Sequence, residues 1–138
     1  MDIRVKSYLY DERDLLQSLL DSLDEQYSLL LAQDKDIVAI CTIADKIDTI
    51  AKSIALNEIE RRKIISNDHL ISQLKETDDS DLIAVVEDIS RIKKLVDNQN
   101  DINRSFVKQN LFFTKKMLKI ITPNEKFDTY SKFGKKGI

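Results

Sequence analysis

The side chains with most chemical reach in this chain are a single histidine, His69, a single cysteine, Cys41, and the acidic run Asp78, Asp79 and Asp81. A lone histidine can act as general base only with a nucleophile presented to it, and no serine or cysteine in a recognisable nucleophile motif accompanies His69. It falls in a segment that reads as a connector, and a surface or helix-capping role is expected. Cys41 sits among apolar residues at helical spacing, where a free cysteine behaves as a small hydrophobe. It has no partner for an internal disulfide and none for a cysteine-based zinc site.

The aspartates resemble a calcium loop only superficially. Such a loop needs glycine at its sixth position and glutamate at its twelfth; counted from Asp78, these positions hold Ile83 and Ile89. Helix capping explains them better. A carboxylate-bridged di-metal centre needs Glu-x-x-His pairs from two helices, which one histidine cannot supply. A glycine-rich phosphate loop needs glycines where Gly134 and Gly137 are not. No catalytic, metal or cofactor site is therefore predicted, and the chain reads as a non-enzyme.

The elements that carry these residues are helical. Gly 2 and Pro 1 are the counts in 138 residues, and the three fall at Pro123, Gly134 and Gly137. A sheet protein would need repeated tight turns, whose residue chemistry is missing before position 123. From Leu16, apolar residues recur by threes and fours: Leu16, Leu19, Leu20, Leu23, Tyr27, Leu30, then Ile37, Ile40, Cys41, Ala44, Ile47, Ala51 and Ile54. That spacing lines one stripe of a helix. The stripe allows one continuous helix to about Ile65, or two antiparallel helices meeting at Gln33-Asp34-Lys35-Asp36 with Asp34 as N-cap.

Asn67 or Asp68 could cap a short helix through Leu70, Ile71 and Leu74. The cap-forming run Thr77-Asp78-Asp79-Ser80-Asp81 then precedes a second long stripe: Leu82, Val85, Val86, Ile89, Ile92, Val96, Phe106, Phe113, Met117 and Ile120. The expected organisation is one helical domain, 1–122, with helix over about 4–66, a connector over about 67–79 and helix over about 80–121. A flexible basic tail, 123–138, is expected after it. Neither stripe can be buried alone. The fold class is all-α: an antiparallel bundle of long helices, as a coiled-coil-like hairpin or a three- or four-helix bundle. Gln99, Asn103 and Asn110 interrupt the second seam with amides.

Charge is unevenly placed. Residues 1–66 carry 9 basic and 13 acidic side chains, giving −4; 67–114 carry 6 and 9, giving −3; 115–138 carry 7 and 2, giving +5. A chain of net charge −2 is a poor nucleic-acid binder. No secretory signal opens it, no apolar run reaches the ~18 residues of a membrane span, and a cytoplasmic protein is expected.

Residues 102–121 are richer in apolar groups than one bundle face requires. Ile102, Phe106, Phe113, Met117 and Ile120 make one face. Val107, Leu111, Leu118 and Ile121 widen it to roughly 180° of arc, and Phe112 lies nearly opposite its centre, where a bundle face needs a little over ~100°. More of the same chain, a second copy, or another protein's helix could cover the surplus.

The order of several segments resembles the FlgN family of flagellar export chaperones. They are Leu15-Leu16-Gln17-Ser18-Leu19-Leu20, Gln33-Asp34, Lys46, and Asn57-Glu58-Ile59-Glu60-Arg61-Arg62 in the first part. Asn100-Asp101-Ile102-Asn103, Asn110-Leu111-Phe112-Phe113, Leu118-Lys119-Ile120-Ile121, and Thr129-Tyr130 with Gly134 follow. The resemblance implies a cytoplasmic chaperone of hook–filament junction (hook-associated) proteins, which binds their C-terminal segments and presents them to the flagellar type III export gate. Expected contact residues are Val107, Leu111, Phe112, Leu118 and Ile121 for cargo, and Tyr130 for cargo or gate. No cofactor, nucleic acid or membrane insertion is expected, and the state expected is monomer or weak homodimer. The alternative is a structural bundle or coiled-coil oligomer without an export role.

Overall fold

The structure is a computed structural model that describes the backbone of residues 1–121 and the side chains of 1–109. It contains four α-helices: α1 (Ile3–Leu31), α2 (Ile37–Ile64), α3 (Asn67–Glu76) and α4 (Ser80–Ile121). No strand occurs among the described residues. The fold is an all-α bundle. The predicted tail, 123–138, lies outside the described residues.

Each helix starts on a side chain that accepts a backbone N–H otherwise left without a partner. Asp2 accepts from Arg4 N at 2.8 Å, Asp36 from Ala39 N at 3.0 Å, Ser66 from His69 N at 3.2 Å, and Asp79 from Leu82 N at 3.1 Å. The apolar phase permits one unbroken helix from Leu16 to Ile65, but the chain turns between Leu31 and Ile37. Asp36, and not Asp34, is the cap. Lys35 Nζ donates to the carbonyl of Leu30, so this turn closes α1 without a glycine. Likewise Ser66, and not Asn67 or Asp68, caps α3.

The chain divides into two compact units, Met1–Gln99 and from Asn100 on, with α4 continuous through the boundary. In the first unit, Val5, Leu9, Glu12, Leu16, Leu19 and Leu23 of α1 are buried at alternating steps of four and three. This is the spacing of a coiled-coil seam. On α4, Leu82, Val85, Ile89, Ile92 and Val96 follow the same rule and join them in one cluster. Ile47, Ile50 and Ile54 of α2 pack against it, with Leu70 from α3. Fully burying such a side chain contributes about 1.5–3 kcal/mol, against about 0.2–0.5 kcal/mol for an exposed ion pair one turn apart. The stripes, and not the surface charges, hold the bundle.

Direction follows from three contacts. Asn57, late in α2, bonds Tyr8, early in α1. Lys6 of α1 pairs with Asp79 at the start of α4 at 2.9 Å, and Glu12 with Lys93 at 3.2 Å. So α2 runs against α1, while α4 runs with α1, the short α3 having turned the chain back.

The α2 stripe departs from the predicted one. Cys41, Ala44 and Ala51 are exposed, and Ile37 is 65% exposed, whereas Ile43 is 4% exposed. The two possible stripes overlap at Ile40, Ile47 and Ile54 and differ by one residue between them. Isoleucines at 43 and 50 offer far more area than cysteine and alanine, so they take the interior.

The second unit is described as α4 from Asn100 to Ile121, with side chains to Gln109. Asn103 is 1% exposed, Phe106 and Val107 are half-buried, and Ile102 stands at the edge of exposure.

Candidate partner-binding surface

Two different kinds of surface are available to a partner. The first is the distal part of α4. The buried cluster of the first unit ends at Val96, yet the helix continues to Ile121. Its 3–4 spacing continues through Gln99, Asn103, Phe106, Asn110, Phe113, Met117 and Ile120, so the seam register is kept beyond Val96. Gln99 is half-buried and Asn103 fully so, and both hold interactions.

Of the expected contact residues, Val107 is half-buried on α4. Leu111, Phe112, Leu118 and Ile121 lie within the same helix, and their side chains fall outside the described residues. Tyr130 also lies outside them. Val107, Leu111 and Leu118 are spaced by four and seven, which is one side of a helix, and Phe112 stands apart from that line.

The second kind of surface lies on the α1–α2 hairpin. An open groove of about 600 Å³ runs between the two helices, with Tyr8, Leu15 and Leu56 as its apolar part and Asp11, Asp14 and Glu60 among its polar lining. Leu56 is 62% exposed and Ile59, three residues on, 49%. A smaller cleft of about 240 Å³ lies where α1, α2 and α4 meet, lined by Leu16, Leu19, Ala51, Ile54, Val96, Lys93 and Asp97.

Next to that cleft, the three helices share charge. Glu12 stands in the α1 seam where an apolar residue is expected, and is 5% exposed. Lys93 Nζ lies 3.2 Å from Glu12 Oε1 and 3.3 Å from Glu58 Oε1. The Glu58 contact is a hydrogen bond; the Glu12 contact is an ion pair, too poorly aligned to be one. Burial pushes the Glu12 carboxyl above its ordinary range, helped by the hydrogen bond it shares with Glu58. That same bond holds Glu58 below the ordinary range. The two carboxyls thus shift in opposite directions beside one ammonium.

The spacing signal for Glu12 was present in the chain, since Val5, Leu9, Leu16 and Leu19 bracket it at seam positions. Glu58 and Lys93 carried no such mark. Arg61 is a second buried charge, 6% exposed, at the α2–α3 corner. Its Nη1 donates to the Ile65 carbonyl at 3.1 Å and its Nη2 to Asn67 Oδ1 at 2.6 Å.

His69 is exposed, and its backbone N–H is spent on the Ser66 cap. Asp79 is likewise a capping residue. Among the described residues, no three His, Cys, Asp or Glu side chains come together to hold a metal ion. No helix there is long and apolar enough to cross a membrane.

Compared with known protein families, residues 1–137 match the model of the FlgN protein family. The chain belongs to the FlgN family. The match spans nearly the whole sequence, both hairpin and distal α4, so FlgN membership applies to the full set of surfaces above. FlgN proteins are flagellar chaperones that bind flagellar cargo proteins. No curated protein and no solved structure matches the chain.

Proposed function

We propose that this FlgN-family chain is a cytoplasmic chaperone of hook–filament junction proteins. It binds their C-terminal segments, keeps them from assembling early, and delivers them to the flagellar type III export apparatus. The observation that carries this reading is the run of α4 to Ile121, well beyond Val96, the last member of the apolar cluster among the described residues. A helix that keeps its seam spacing over so long a run offers register for a partner's amphipathic helix. Val107, Leu111, Phe112, Leu118 and Ile121 are the proposed cargo contacts, and Tyr130 the proposed contact for cargo or export gate. Family membership supplies the class of partner, and the apolar surplus of residues 102–121 supplies the means of holding it.

The test is calorimetric titration of the full chain with peptides from the C-terminal segments of hook-associated proteins. The Phe112→Ser, Leu118→Ser double variant should lose binding while its helical circular dichroism stays unchanged. Unaltered affinity in that variant would remove distal α4 from the proposal.

A further inference from the structure

We propose that Glu12, Glu58 and Lys93 form a proton-sensitive clasp that sets how tightly α4 is held against the α1–α2 hairpin. The geometry is specific. Each of the three helices contributes one charged side chain, and a single ammonium lies 3.2 Å and 3.3 Å from two carboxylates. Glu12 is buried in the apolar seam between Leu9 and Leu16, so its charge has little water to stabilise it.

With one proton on the pair, the neutral Glu12 carboxyl donates to the Glu58 carboxylate and Lys93 balances the remaining charge. With none, both carboxylates are charged, and the buried Glu12 carboxylate faces the half-exposed Lys93 ammonium. The desolvated Glu12 charge is then relieved by admitting water, which means separating the helices. Of the other charged groups around the cluster, Arg62 offsets the Glu58 charge and leaves the cost of deprotonation on Glu12. On α2, Arg62 reaches Glu58 at 3.5 Å from the exposed side. On α4, Asp97 lines the adjoining cleft with Lys93. On α1, Arg13 is already paired with Asp14 at 3.1 Å.

The sign follows from linkage. Glu12 binds its proton more tightly in the folded chain, so its contribution is complete below the ordinary value of 4.5 and is lost as pH rises through the elevated folded value. Glu58 behaves oppositely: its contribution is complete above 4.5 and is lost as pH falls through the depressed folded value. The clasp is therefore tightest when one proton is shared, and loosens as pH rises through the elevated Glu12 value. Loosening opens the apolar cleft lined by Leu16, Leu19, Ile54 and Val96.

The experiment follows unfolding by urea, and emission of the neutral dye Nile red with the folded full chain, from pH 4 to pH 9. In the wild type, the unfolding constant should rise with pH, by at most about tenfold per pH unit because one proton is linked, and dye emission should rise with it. Glu12→Gln, which keeps a donor and removes the titration, should flatten both curves. A wild type without the loss on raising pH, or a Glu12→Gln chain that keeps it, would overturn the proposal. Should the variant fail to fold, the carboxyl carbon resonances of the wild type decide. Glu12 titrating above 4.5 with Glu58 below supports the clasp, and two ordinary titrations refute it.

Discussion

Asn57 Nδ2 donates to the main-chain carbonyl of Tyr8 at 2.8 Å, joining α2 to α1 across 49 residues of sequence. The Tyr8 carbonyl lies inside a helix and already has a backbone donor available four residues on. The amide uses its second lone pair, at a seam position where an aliphatic residue would give area but no fixed alignment. This bond pins the hairpin register at the end opposite its turn.

Asn57→Ala should therefore destabilise the chain by about 1 kcal/mol, the net worth of a neutral hydrogen bond. Asn57→Asp should cost more at neutral pH, because a carboxylate cannot donate and would face a carbonyl oxygen. Urea unfolding of the two variants side by side measures the difference.

Arg61 presents a second case of a polar group fixing backbone. Its guanidinium ties the end of α2 to the start of α3 through Ile65 and Asn67. Arg61→Ala should cost about 2 kcal/mol, combining the lost bonds with the packing of its stem. Arg61→Lys should recover little of it, since one ammonium cannot span both acceptors. Amide exchange at residues 65–69 should accelerate in both variants before it does elsewhere.

Asp79 has two tasks that one substitution can separate. Its Oδ1 accepts from Leu82 N at 3.1 Å and its Oδ2 pairs with Lys6 at 2.9 Å. The Lys6 hydrogen bond, then the Leu82 N–H, hold its carboxyl below the ordinary 3.8. Its contribution is thus complete above that value and is lost as pH falls through the depressed one. Asn caps as well as Asp does, so Asp79→Asn should lose the ion pair alone and remove part of the acid-side loss. Asp79→Ala should lose both and melt lower at every pH. Thermal unfolding from pH 2 to pH 7 in low and high salt distinguishes them.

Cys41 is exposed on α2. A thiol reagent such as Ellman's should modify it in the folded chain at a rate close to that in urea, with no loss of helical signal. Protection in the native state would contradict the α2 phase described above, in which Ile43 is buried instead.

Much of this architecture was legible before any coordinates. The scarcity of glycine and proline demanded helices, and the 3–4 spacing of Leu16, Leu19, Leu23 and Leu30, and of Leu82, Val85, Ile89, Ile92 and Val96, marked the buried stripes. The cap-forming cluster before Leu82 marked the start of α4. Segment order also pointed to the FlgN family. All of these are local signals, carried by residues within a few turns of one another.

What the chain alone left open depends on contacts between distant residues. The break after Leu31 could not be read because the apolar phase survives it; only the pairing of α1 with α2 favours a hairpin over one long rod. Whether Ala44 or Ile43 faces inward is a one-residue rotation, decided by which neighbours the helix meets. Glu12, Glu58 and Lys93 are ordinary charged residues in a row of letters. They become a cluster because three helices bring the Lys93 ammonium within 3.3 Å of both carboxylates, and desolvation acts on Glu12 only once the fold has removed its water.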